Sequence, residues 1–168
     1  AGLKPVWTIL DQYEEKRPSK KELRCMAYLA LIAGAQGIGV YAWDDRPGKK
    51  KGWYVKEHHS DLQNLHSVIT ELRSLQDVLI QPNTADRPTF TKANPALHAA
   101  IKCVNGRSYL LLANDSRQQE TATLALPGIK RAIGRPLMPV NESPSLQFDN
   151  GRTSVVLPSL FSGVFEIK

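Results

Sequence analysis

The sequence predicts an α/β segment followed by an all-β segment, and three observations carry that reading. An apolar, β-rich run at 5–10, a nearly all-apolar helix at 20–35 and a second apolar run at 37–43 follow one another as strand, helix, strand. Beyond residue 95 the period switches to short strands separated by turn residues. Between the two lies a stretch rich in Pro, Asn, Thr and Asp, which reads as a crossing. The expected organisation is therefore 1–80, a linker at 81–95, and 96–168.

The helix at 20–35 has a clear start, because Ser19 and Glu22 form a capping box just after Pro18. Leu23, Met26, Ala27, Ala30 and Leu31 make one apolar face, and Cys25, Tyr28, Leu29 and Ile32 fill much of the rest. A helix apolar most of the way round expects cover on two sides. Gly34 and Gly37 end it and permit close packing against the next strand. Strand, crossover helix and strand make a βαβ unit with parallel strands. Parallel strands need cover on both faces and more neighbours than two. The segment is thus expected to be a C-terminal piece of something larger that does not act alone.

After Trp43 comes a polar loop, 44–59, longer than a simple joint and so expected to be functional or mobile. Ser60 or Asp61 is expected to cap a second helix reaching about Leu75, with Leu62, Leu65, Ile69 and Leu72 at helical spacing. In the β part, runs at 96–104 and 107–114 flank Asn105-Gly106, a hairpin signal because both central residues of a type I′ turn need positive φ. Further strands are expected at 121–126, 136–140, 145–148, 153–157 and 163–167, and together they argue an antiparallel β-sandwich. Tyr109, Leu111 and Ala113 alternate with Leu110, Leu112 and Asn114, so both faces of this strand are apolar and cover is expected on each, with the helices on one side.

Hydrophobic content of 42% and charged content of 23% in 168 residues exclude a disordered or fibrous class. No apolar run reaches a membrane span, so no membrane role is expected. The net charge of +6 is scattered apart from Arg46, Lys49, Lys50 and Lys51, which sit in a Pro-Gly loop without aromatic interleaving. That cluster is read as a solvated loop, and no nucleic-acid partner is expected. Cys25 and Cys103 lack metal-like spacing, and their apolar neighbours predict buried free thiols.

The segments KPVWTILDQY, RPSKKELRCMAYLALIAGAQGIGVYAW and DLQNLHSVITELRSLQDVL, with the closing TSVVLPSLFSGVFEIK, resemble the last two βα units and trailing β-sandwich of bacterial glycoside-hydrolase-like TIM-barrel proteins. The resemblance covers the whole chain and rests on packing pattern more than on chemistry. It implies a partial (β/α) barrel followed by a β-sandwich, a carbohydrate ligand lying across the strand ends, and a secreted or periplasmic location. It also implies that the partner is the N-terminal remainder of the barrel or a second copy of the chain. The resemblance places Asp11, Gln12 and Tyr13 at the end of the first strand and Trp43, Asp44 and Asp45 at the end of the second. A first catalytic carboxylate would lie on a strand outside this sequence, and Asp11-Gln12 stands where a Glu nucleophile would be expected.

Glycoside hydrolysis needs two carboxyl groups, about 5 to 5.5 Å apart for retention and roughly 6.5 to 9.5 Å for inversion. Asp11 and Asp44 are the best candidate pair; the competing reading has Asp11 ordering its loop and Asp44 or Asp45 capping a turn. Trp43 offers either a flat face to a sugar or a plug for the barrel top, and Trp53 and Tyr54 either line the site or seal the loop. Gln12, Tyr13, Asp45 and Trp53 complete the candidate binding set. His58, His59 and His66, with Glu57 and Asp61, lack the spacing of a metal site, so neither metal nor cofactor is expected. No nucleophile elbow supports a serine hydrolase.

Overall fold

The computed structural model describes residues 6–11, 17–41, 58–91, 94–138 and 143–168. Strand β1 (Trp7–Asp11), helix α1 (Lys20–Ile32) and strand β2 (Gly37–Tyr41) form a parallel βαβ unit, in register from Trp7 opposite Gly37 to Asp11 opposite Tyr41. The described parallel sheet stops at these two strands. Ser19 caps α1 as its sequence foretells: its Oγ accepts from the Glu22 amide and the Glu22 carboxylate accepts from the Ser19 amide. Both bonds satisfy donors that a helix start otherwise leaves open.

Helix α2 (His59–Ser74) begins earlier than its expected caps: His58 is the N-cap, without a side-chain capping bond, and Ser60 and Asp61 lie inside the first turn. A short α3 (Gln76–Leu79) follows. Strand β3 (Thr89–Thr91) lies inside the segment expected as a crossing. That segment is stitched on by the Asn83 side-chain amide, which donates to the Ile32 carbonyl at 2.7 Å, and by the Thr84 amide, which donates to the Ile101 carbonyl at 2.8 Å.

The all-β expectation is met by one eight-stranded antiparallel sheet. Its remaining strands are β4 (Leu97–Val104), β5 (Arg107–Asn114), β6 (Glu120–Ala125), β7 (Arg131–Pro136), β8 (Leu146–Asp149), β9 (Arg152–Leu157) and β10 (Ser162–Ile167), in the order β3-β6-β9-β8-β7-β10-β5-β4. Phe90 and Leu124 from one end of that order share a core with Leu97 and Leu110 from the other, together with Phe148, Leu157 and Phe165. Residues at opposite ends of a sheet meet only if the sheet folds over on itself, which gives the sandwich-like form. The strand expected at 136–140 lies instead at Arg131–Pro136. Its inward residues there, Ala132 and Gly134, are too small to produce a visible apolar alternation.

The asparagine-glycine turns are as expected. Asn105 and Gly106 have φ of 49° and 76°, and Asn150 and Gly151 have 48° and 72°. Space differs between the two glycines: a Cβ on Gly106 meets nothing, whereas one on Gly151 would lie 2.5 Å from the Ile129 carbonyl oxygen and 3.0 Å from that of Leu126. Backbone oxygens in a turn cannot step aside. Gly151→Ala is therefore expected to cost about 2 kcal/mol or more and Gly106→Ala about 1 kcal/mol; chemical denaturation of both variants checks the ranking, and equal losses would contradict it.

Helix α1 has the two-sided cover its composition requires. Leu23 and Ala27 join Leu10, Leu65 and Val68 in a core shared with β1 and α2. Tyr28 and Leu31 join Leu75, Val78 and Leu79 against Leu111 and Val164 of β5 and β10. The second apolar face of β5 is thus the one the helices cover. Of the two cysteines, both free, Cys25 is buried as expected and Cys103 is exposed, against expectation. Cys103 lies at the turn end of the β4–β5 hairpin, paired with Ser108, where the apolar neighbours along the chain give it no cover.

Candidate functional site

The predicted site begins at the C-terminal ends of β1 and β2. Strand alternation sends Leu10 and Ile38 into the core beneath α1 and α2, and sends Trp7 and Ile9 to the other face. That other face is bare among the described residues: Trp7 is 70% exposed, Ile9 69% and Tyr41 53%. The register sets Trp7 opposite Gly37 and Ile9 opposite Gly39. The Trp7 ring lies across Gly37 so closely that a Cβ there would sit 2.5 Å from the indole. Large side chains on one strand laid over glycines on the next make a flat apolar surface.

Asp11 closes β1 opposite Tyr41, which ends β2, so the backbone brings the two strand ends side by side. The Asp11 side chain lies outside the described residues, as do Gln12, Tyr13, Trp43, Asp44, Asp45, Trp53 and the basic loop Arg46, Lys49, Lys50 and Lys51. Of the histidines, His59 Nε2 lies 2.9 Å from Gln63 Nε2 one helical turn on. No group of three or more potential metal ligands occurs among the described residues. No described helix is long and apolar enough to cross a membrane.

Beside the open edge of β2 runs an apolar groove of about 240 Å³, lined by Leu10, Ile38, Val40, Val68, Ile69 and Leu72 among others. Isoleucine Ile69, expected on the buried stripe of α2, is 40% exposed at this groove.

A buried polar cluster that sequence reasoning missed holds this region to the β part. Arg24, on α1, donates from Nε to both carboxylate oxygens of Glu71 on α2, at 2.9 and 2.8 Å. Its Nη2 is 2.8 Å from Glu71 Oε1 as an ion-pair contact. Its Nη1 donates to the Ser162 carbonyl on β10 and, at 2.8 Å, to Ser162 Oγ. Tyr28 donates its hydroxyl to Glu71 Oε1 at 2.6 Å, and the guanidinium carbon lies 4.8 Å from the centre of the Tyr28 ring. Burial alone would lower the Arg24 pKa, but the Glu71 contacts, with Tyr28 in support, outweigh it and hold it above the usual arginine value. Burial, with the Glu71 charge adding to it, pushes the Tyr28 hydroxyl far above the usual phenol range. Burial likewise pushes the Cys25 thiol up to about 11, which keeps it protonated near neutral pH. The sequence offered no sign of this cluster, whose partners are 47 and 138 residues apart.

No protein-family model and no curated protein matches the chain. Solved structures do match it. A Bacillus halodurans protein assigned as an alpha-N-acetylgalactosaminidase aligns over 90% of this chain and 33% of its own, at 18% identity and a TM-score of 0.56. The alpha-amylase of Geobacillus thermoleovorans, solved with acarbose, aligns over 98% of this chain and 39% of its own, at 12% identity and a TM-score of 0.61. A GH27 β-L-arabinopyranosidase of Geobacillus stearothermophilus aligns over 90% and 31%, at 13% identity and a TM-score of 0.54. At these identities the likeness is one of fold. The chain shares its fold with a part of each of these proteins, and it spans between about a third and two fifths of their length.

Proposed function

We propose that this chain is the C-terminal part of a glycoside-hydrolase-type protein: residues 1–80 supply the last two βα units of a TIM barrel, and residues 96–168, joined through 81–95, brace them as a β-sandwich. The observation that carries the reading is the parallel β1–β2 pair, covered by helices on one face and, among the described residues, bare on the other, where Trp7, Ile9 and Tyr41 lie exposed. In a barrel the helices clothe the outside and such a face turns inward, where missing strands complete it. The partial coverage of the matched glycoside hydrolases supports the same reading. Carbohydrate then lies at the strand ends, with Asp11 and Asp44 as the carboxylates on this chain and Gln12, Tyr13, Trp43, Asp45 and Trp53 around them. The chain alone lacks a complete catalytic pair.

A second reading makes it a stand-alone carbohydrate-binding module that pairs with a second copy through the open strand edges, and the same exposed face favours it. Calorimetric titration with malto-oligosaccharides, combined with light scattering, separates the two. Under the first reading the isolated chain hydrolyses no chromogenic glycoside, and Trp43→Ala weakens whatever saccharide affinity it has about tenfold, without unfolding the β part. Steady turnover abolished by Asp11→Asn would overturn the claim of an incomplete pair, and full affinity in Trp43→Ala would remove the tryptophan from the site. An obligate dimer of the isolated chain would favour the second reading.

A further inference from the structure

The outer face of β7, β8 and β9 belongs neither to the strand-end cleft nor to the surface that the helices cover. Alternation along β7 sends Ala132 and Gly134 inward and leaves Arg131, Ile133 and Arg135 exposed. Gln147 and Asp149 of β8 and Arg152 of β9 are exposed beside them. The register places Asp149 opposite Arg131 on one side and opposite Arg152 on the other. Two inter-strand spacings put those arginines about 10 Å apart, and Lys130 adjoins them through the bond from the Gly151 amide to its carbonyl. Lys168 sits across from Ile133, joined to it by reciprocal backbone bonds of 2.8 and 3.1 Å.

The acidic groups facing these cations are few. Asp149 Oδ1 is 3.5 Å from Arg131 Nε, with both side chains well exposed, and so offsets only part of the local charge. Glu166, opposite Arg135, is already engaged by Lys168 at 3.0 Å and by Arg107 at 3.4 Å. A shallow depression of about 590 Å³ is lined by Arg131, Ile133, Gln147, Asp149 and Lys168 among others, and Ile133 is 63% exposed there.

We propose that this face binds an acidic polysaccharide, its arginines taking carboxylate or sulfate groups and Ile133 packing against the apolar side of a sugar ring. Arginine is suited to this task because its planar fork meets an oxyanion through two parallel bonds. The surface is flat and carries no exposed aromatic side chain among its described residues, so it lacks the stacking platform that single-stranded nucleic acid requires. It also lacks the continuous apolar stripe that lets an amphipathic element enter a lipid surface. The proposal uses no residue of the strand-end cleft and stands independently of the barrel reading.

The test is calorimetric titration of the full chain with heparin and with polygalacturonate at low salt, repeated near physiological ionic strength. Binding to at least one of the two is expected, weakened by salt because the contacts are exposed charges. The triple variant Arg131→Gln, Arg135→Gln, Arg152→Gln should bind roughly tenfold more weakly, the loss expected from three exposed ion pairs of ordinary strength. Substituting Lys49, Lys50 and Lys51 by Gln should leave affinity unchanged. Asp149→Asn, which removes the carboxylate between the arginines, should tighten binding, and it keeps the test decisive if the triple variant folds poorly. The proposal is overturned if neither polysaccharide binds, if affinity is lost in the lysine variant and kept in the triple variant, or if Asp149→Asn weakens it. Tighter binding to duplex DNA or to phosphatidylserine vesicles than to either polysaccharide would overturn it as well.

Discussion

Replacing Glu71 with Ala is expected to lower stability by about 3–5 kcal/mol, the usual cost of leaving a buried charge without its partner. The carboxylate accepts from Arg24 Nε through both its oxygens and from the Tyr28 hydroxyl, and only 11% and 13% of the Arg24 and Glu71 side chains remain exposed. Without it, the guanidinium keeps only its bonds to Ser162, and the Tyr28 hydroxyl loses its acceptor in a position with no exposure. For a domain of this size the loss corresponds to a melting temperature lower by roughly 6–20 °C. A double variant, Arg24→Met with Glu71→Gln, should recover much of it, because no charge is then left in the interior. Differential scanning calorimetry of the three proteins checks this; a single variant melting within about 2 °C of the parent would show that the pair contributes little.

Lys102 is another buried charge, and here the expected sign is reversed. Its side chain is fully covered on the helix-facing side of β4, and its amine donates to the Gln81 carbonyl at 2.5 Å. Tyr109 is its register partner on β5, and Asn83 bridges to it from the segment before β3. Burial lowers its pKa from 10.5 to about 8. Between those two values the unfolded chain holds the proton and the folded chain releases it, so folding stability rises with pH across that window. Below pH 8 both states are protonated and the full penalty remains. At about 1.4 kcal/mol per unit, that penalty is at most roughly 3 kcal/mol at pH 7. Lys102→Met should therefore raise the melting temperature at pH 7, less the worth of the lost bond to Gln81. The difference between variant and parent should shrink from pH 8 to pH 10.5, while titrations common to both cancel. A difference that does not change with pH would rule out a lowered lysine pKa.

Features fixed by local chemistry were legible in the sequence. The Ser19 and Glu22 box and the two asparagine-glycine turns depend on neighbours a few residues apart, and all three stand where the residue types require. The two-sided apolarity of α1 and of β5 foretold that each is covered on two sides, and the structure supplies part of that cover by packing them together. Features fixed by distant partners were hidden. Strand β7 conceals its period behind Ala132 and Gly134, and Gly134 is small because Leu146 of β8 lies where its Cβ would be, 2.8 Å away. Arg24 and Lys102 look like solvated charges in one dimension and are enclosed in three. The cap of α2 was misplaced because Ser60 and Asp61 are good capping residues that fall two and three residues past the true N-cap, His58. For the candidate site, the side-by-side strand ends were foreseen from the βαβ pattern, whereas the roles of Asp11 and Asp44 depend on side-chain placement that strand order does not determine.

Strand β10 lies between β7 and β5, in the middle of its sheet, and carries the serine that receives Arg24. It also follows the other described strands in the sequence. Seven other antiparallel strands must wait with a central gap until it arrives, and α1 has no carbonyl to grip on that side before then. Folding of the β part is thus expected to be an all-at-once event with slow, long-range pairing, and a chain cut before Ser162 would leave β5 and β7 with unpaired edges facing each other.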